Sequence, residues 1–155
     1  MDYPEPYIMI VDSRFYTDIA DAMVGGATAV LDEAGATYER YSVPGALEIP
    51  SAIRFAVRSL DYWTGRRRFD GYIALGCVIR GETAHYDLVC QESFRGLSDL
   101  MSQYTLAIGN GILTCDTREQ AMERAAVDRR NKGGEVARTC LAMVDLKNRF
   151  RLYPR

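Results

Sequence analysis

Apolar residues recur along this 155-residue chain in two alternating rhythms. The stretch 7–12, YIMIVD, is a continuous apolar run closed by an acid, the form of a strand covered on both faces. Beyond Ser13, Arg14 and Phe15 the period lengthens: Ile19, Met23, Ala27, Val30, Leu31 and Ala34 fall at helical spacing, and Gly35 ends the helix as a natural C′ residue. Gly25 and Gly26 inside it cost roughly 1 kcal/mol each against alanine, so close packing is the expected reason for them. Residues 37–43, TYERYSV, alternate as a strand does, until Pro44 and Gly45 break them. A second helix carries Ile49, Ile53, Ala56, Val57 and Leu60 on one side, and a basic loop, TGRRRFD, leads into the strongest strand, 71–79.

The rhythm repeats in the second half. After the segment GETAH (81–85), a long amphipathic helix aligns Tyr86, Val89, Cys90, Phe94, Leu97, Met101 and Tyr104. A fourth strand is expected over 106–113, weakened by Gly109, Asn110 and Gly111, which leave room for something close to the backbone. Thr117 to Gln120 has the form of a capping box, predicting a helix through Val127. NKGG (131–134) interrupts the helical pattern before a last helix with Val136, Cys140, Leu141 and Val144. Strand and helix thus alternate four times, with one helix added at the end. Right-handed crossovers between parallel strands satisfy that order in an α/β fold, a three-layer αβα sandwich on a four-stranded parallel sheet. Ligands of such sheets sit beyond the carboxyl ends of the strands, which here means loops 13–15, 44–48, 80–85 and 114–116.

Composition narrows the setting. With 48% hydrophobic and 26% charged residues, the chain has an ordinary soluble profile, and its length predicts one domain over 1–155 with residues 1–6 as an N-terminal arm. A formal net charge of −2 gives no basic field, so no nucleic-acid partner is expected. No apolar run approaches the ~20 residues that span a bilayer, and MDYPEP lacks the form of a signal peptide, so the expectation is a cytoplasmic protein without a membrane partner. Cys77, Cys90, Cys115 and Cys140 are far apart and form no CxxC pair; they read as packed free thiols, not as a metal site.

The candidate chemistry lies in the loops. Arg80, Gly81 and Thr83 stand just before a helix, supplying a cation, a flexible turn, a hydroxyl cap and free first-turn N–H groups, all of which suit a phosphate. His85, the only histidine, falls in that first turn, where the positive dipole end lowers imidazole basicity and a neutral ring can exchange protons with a substrate; taken alone, a plain helix start is the commoner reason for such a residue. Phe15 suits either stacking on a planar heterocycle or stapling the next helix. Glu48 suits either ligand hydroxyls and N–H groups or helix-dipole stabilisation. Arg124 lies on a helix whose charged face solvation alone explains. Neither the GxGxxG fingerprint nor a P-loop is present.

Six motifs in order now carry a resemblance: VDSRF (11–15), VPGALEIP (43–50), ALGCVIRGETAHYDLVC (74–90), GNGILT (109–114), QAMERA (120–125) and NKGGEVA (131–137). The chain resembles the 6,7-dimethyl-8-ribityllumazine synthases of riboflavin biosynthesis over 7–144. The resemblance implies a flavodoxin-like subunit that condenses 5-amino-6-(D-ribitylamino)uracil with 3,4-dihydroxy-2-butanone 4-phosphate, releasing phosphate and water, with neither metal nor redox cofactor. By motif position, Phe15 would stack on the ring, Ala46, Leu47 and Glu48 would hold the ribityl chain, and Cys77, Val78 and Ile79 would border the ring. Gly81, Glu82 and Thr83 would bind the phosphate and His85 would move protons, while Arg124 and Asn110 would reach a neighbouring subunit's site. It further implies a homopentamer, and the Tyr- and Pro-rich start MDYPEPY suits a place along a neighbour's sheet edge, where prolines are tolerated. Leu47 and Asn110 stand where many members have phenylalanine, Asp128 where some have lysine, and DRRNKG (128–133) departs from the GTKAGN form of many sixty-subunit shells.

Overall fold

Strand β1 (Tyr7–Ser13) lies in the interior of the sheet because both of its faces are apolar. Ile8 and Ile10 enter the core on one side, Met9 and Val11 the core on the other. Each fully buried aliphatic side chain contributes about 2 kcal/mol. The computed structural model describes residues 3–152. β2 (Thr37–Val43), β3 (Gly71–Ile79) and β4 (Ile108–Cys115) join β1 in the order β2-β1-β3-β4, all parallel. Helices α1 (Thr17–Glu33), α4 (Arg118–Ala125) and α5 (Lys132–Arg149) cover one face. Helices α2 (Ile49–Ser59) and α3 (His85–Tyr104) cover the other. The result is a three-layer αβα sandwich of the flavodoxin-like kind. Edge strand β2 is exposed or half-buried throughout, with Tyr38 packed toward one core and Val43 toward the other.

Three boundaries depart from the expected ones. β4 starts at Ile108, not 106, and runs on to Cys115. Thr105 adopts a left-handed conformation (φ 56°) that closes α3, and the Leu106 N–H still donates to Met101 O. At the other end, pairing with Val78 and Ile79 draws Thr114 and Cys115 into the ladder. α4 ends at Ala125, two residues short of Val127, where Ala126 turns extended and accepts the Arg129 and Asn131 N–H groups. NKGG begins a helix instead of interrupting one: Asn131 is the N-cap of α5 and accepts the Gly134 N–H at 3.3 Å, so both glycines lie in the first turn. Their smallness is a packing matter. A Cβ on Gly133 would strike the Met23 carbonyl of α1, and one on Gly26 would strike Asn131 Oδ1. Gly26 therefore fits the close-packing expectation; Gly25, which faces open space, does not. The room left beside Gly109 is filled by α5, since a Cβ there would lie 2.5 Å from Val136 O.

Residues 3–6 of the arm lie against their own chain. The Tyr3 hydroxyl donates to Asn148 O at 2.8 Å, and Pro6 O accepts the Thr37 N–H at 2.9 Å. Residues 1 and 2 of the expected arm fall outside the described residues. Among the described residues, no helix is long and apolar enough to cross a membrane. Cys77, Cys115 and Cys140 are buried free thiols and Cys90 is half-buried.

Candidate active site

Three chain reversals meet at the carboxyl end of the sheet. β1 ends into Ser13 and the pair Phe15–Tyr16, β2 ends into Pro44, Gly45 and the 3₁₀ turn Ala46–Glu48, and β3 ends at Cys77, Val78 and Ile79. Together with His85 and Val89 of α3, they line a cleft of about 490 Å³. Phe15, Ala46, Leu47, Glu48, Cys77, Val78, Ile79 and His85 are thus brought together.

Phe15 stands 73% exposed at the mouth. A staple onto the next helix would be covered, and this ring is not. Its one ring partner among the described residues is Tyr16, edge-on with centroids 4.9 Å apart and planes at 72°. Tyr16 escaped the sequence reading, although two successive aromatics after a polar pair were the visible signal. Behind it, the Arg118 guanidinium lies 5.6 Å from the Tyr16 ring centroid and pairs with Asp18 at 2.5 Å. Burial, and then the nearby Cys77, raise the Tyr16 phenol above its ordinary value while Arg118 draws it down.

The loop beneath Phe15 rests on a buried acid that the sequence reading also missed. Asp12 is wholly buried and accepts from Arg40 Nε at 3.0 Å, Arg40 Nη2 at 3.1 Å, Ser42 Oγ at 3.0 Å and Arg14 Nη1 at 3.4 Å. Arg14 also donates to Asp21 at 2.7 Å, and its backbone N–H extends the β1–β2 ladder to Val43 O at 3.0 Å. An acid closing an apolar strand was the available clue; its partners follow only from the register that sets Asp12 beside Ser42.

Glu48 occupies the N-cap position of α2 without making a side-chain capping bond. Its Oε2 lies over Gly45, where a Cβ would approach to 3.1 Å, so the turn keeps room for the carboxylate in the cleft. Burial, with the neighbouring Cys115 adding to it, pushes the Cys77 thiol up to about 12, which makes it an inert part of the wall at neutral pH.

The 80–84 loop forms the exposed rim beside His85. The N-cap position of α3 is Ala84, not Thr83; Thr83 sits one residue earlier and its hydroxyl accepts the His85 N–H at 3.3 Å. The following first-turn N–H groups keep the outward aim common to helix starts. Gly81 has open space around it, and Glu82 is exposed. Arg80 departs from the expected arrangement. Its Nε donates to Asp116 at 2.9 Å, its Nη1 lies 3.8 Å from Asp87, and its guanidinium covers the Tyr86 ring at 4.3 Å. The cation next to the loop is therefore neutralised within its own chain.

Asn110 and Arg124 lie outside this cleft. Asn110 is half-buried on β4 and its Oδ1 accepts the Ile112 N–H at 3.0 Å. Arg124, on α4, donates to Gln120 O at 3.0 Å. A second groove, about 650 Å³, runs between the open edge of β2 and α2, lined by Tyr41, Val43, Phe55 and Phe69 and sharing Pro44 and Glu48 with the cleft. Among the described residues, no group of three or more His, Cys, Asp or Glu side chains is placed to hold a metal ion.

Known proteins carry the same pattern. The sequence profile of the 6,7-dimethyl-8-ribityllumazine synthase family matches residues 5–148. The 6,7-dimethyl-8-ribityllumazine synthase of Bartonella tribocorum is 51% identical over 146 residues, covering 94% of this chain and 93% of its own. 6,7-Dimethyl-8-ribityllumazine synthase 1 of Rhizobium meliloti is 53% identical over 144 residues, 93% of each chain. The Agrobacterium fabrum enzyme of the same name is 50% identical over 146 residues, 94% of this chain and 97% of its own. The chain belongs to the 6,7-dimethyl-8-ribityllumazine synthase family.

Proposed function

We propose that this chain condenses 5-amino-6-(D-ribitylamino)uracil with 3,4-dihydroxy-2-butanone 4-phosphate to form 6,7-dimethyl-8-ribityllumazine, phosphate and water, the penultimate step of riboflavin synthesis. One observation carries the reading: an open aromatic, a carboxylate free of capping duty and the sole histidine line a single cleft beside an exposed helix-start loop.

Phe15 stacks on the pyrimidine, and Cys77, Val78 and Ile79 border the ring with backbone groups. Ala46, Leu47 and Glu48 receive the ribityl chain, with Glu48 accepting from its hydroxyls. Leu47 gives that wall an aliphatic surface. Gly81, Glu82 and Thr83 shape the phosphate loop, where the N-terminal N–H groups of α3 stabilise the anion. His85 passes protons during imine formation, phosphate elimination and ring closure. Holding both substrates in reacting orientation supplies much of the remaining acceleration.

The arginine beside the phosphate loop, Arg80, is already paired with Asp116. A neighbouring subunit supplies the phosphate's cation through Arg124 and adds Asn110 to the ring pocket, so the working particle is a homo-oligomer, a pentamer. The protein works as one domain in the cytoplasm, with no cofactor and no nucleic-acid or membrane partner.

The direct assay supplies both substrates and follows phosphate release together with lumazine fluorescence. Stoichiometric phosphate and lumazine are expected. Absence of both from folded protein overturns the reading, and riboflavin formed from lumazine alone would replace it with a dismutase of two lumazines.

A further inference from the structure

We propose that Tyr16 is a positioning residue for ring binding: it sets the plane of Phe15 and is itself held by Arg118. The inference rests on the reading of Phe15 as the stacking ring. An aromatic that is 73% exposed has little to choose its rotamer for it. Phe15 nevertheless has one ring neighbour, Tyr16, at 4.9 Å and 72°, the edge-to-face geometry that aromatic quadrupoles favour. Tyr16 is half-buried and packs against the α1–α5 core, so unlike Phe15 it is anchored on one side. Its other side faces Arg118, whose guanidinium lies 5.6 Å from the ring centroid. Arg118 in turn is tied by its 2.5 Å ion pair to Asp18, in the first turn of the helix that follows Tyr16. The chain of contacts therefore runs from α4 through Arg118 and Tyr16 to the ring at the cleft mouth. Fixing Phe15 before the substrate arrives removes ordering cost from binding and leaves the proton transfers at His85 untouched.

The test is steady-state kinetics with each substrate varied in turn. Tyr16→Leu should raise the KM for the ribitylaminopyrimidine about three- to tenfold, the range of one aromatic pair. Its kcat and its KM for the butanone phosphate should stay close to wild type. Tyr16→Phe retains the ring edge and should restore the wild-type pyrimidine KM. In a Phe15→Ala background, Tyr16→Leu should add nothing, because the ring through which it acts is gone. Arg118→Met lies behind Tyr16 and should raise the pyrimidine KM about twofold, which keeps the idea testable if Tyr16→Leu folds poorly. An unchanged pyrimidine KM in folded Tyr16→Leu overturns the proposal, as does the same increment with and without Phe15. If Phe15→Ala alone leaves that KM unchanged, the stacking role of Phe15 fails first, a result distinct from a silent Tyr16.

Discussion

The two ends of the candidate site are built differently. The ring end is assembled inside one chain: Phe15, Ala46 to Glu48, Cys77 to Ile79 and His85 share a cleft, and the loop carrying Phe15 is pinned by the buried Asp12. The proposed phosphate end is an exposed rim beside Arg80, which is paired with Asp116 and Asp87. A lined cleft beside an exposed rim whose arginine is already paired fits the proposal that a neighbouring subunit completes the site. On the proposed function, ring binding rests on this chain's own sheet and core, and anion binding rests on assembly.

The largest effect should come from the point where the two ends meet. His85→Ala should lower kcat about 100-fold with modest change in either KM, as steady-state kinetics would read, because it removes the proton shuttle while both binding surfaces stay. Turnover equal to wild type would reduce His85 to a helix-start residue. Arg124→Ala should raise the KM for the butanone phosphate about tenfold and leave the pyrimidine KM nearly unchanged. Equal rises in both would erase the distinction between the ends.

Asp12→Ala probes the foundation of the ring end. It leaves Arg40 and Arg14 without their shared buried partner, and chemical denaturation should show a loss of about 2 kcal/mol, tempered by the partial exposure of both arginines. The smallest effect is expected at Arg80. Arg80→Gln should change the butanone-phosphate KM less than twofold, since its charge is already spent on surface ion pairs. A larger effect than that of Arg124→Ala would show that the chain supplies its own phosphate cation.

What the sequence made legible follows the same division. The strands at 7–12 and 71–79 could be read because burial on both faces leaves continuous apolar runs, and the edge strand at 37–43 because Pro44 and Gly45 bound it, its burial showing no alternation. The start of β4 could not, since a left-handed Thr105 decides it, and neither could NKGG, whose glycines answer to the Met23 carbonyl of another helix. The loops that line the cleft were located by strand order, but roles for Phe15, Glu48 and Arg124 came from the motif resemblance. The commitment of Arg80 to Asp116, the brace at Tyr16 and the network around Asp12 depend on contacts across the chain that no local pattern encodes.

Subunit complementation tests the shared site most directly. His85→Ala chains and Arg124→Ala chains are each assayed alone at limiting butanone phosphate, then mixed in equal amounts, unfolded, reassembled together and assayed again. If one chain brings His85 and its neighbour brings Arg124, random assembly rebuilds about a quarter of the sites, and the mixture recovers about a quarter of wild-type activity. If both residues serve the site of their own chain, no neighbour pairing can rebuild one, and the mixture stays at the average of the two parents.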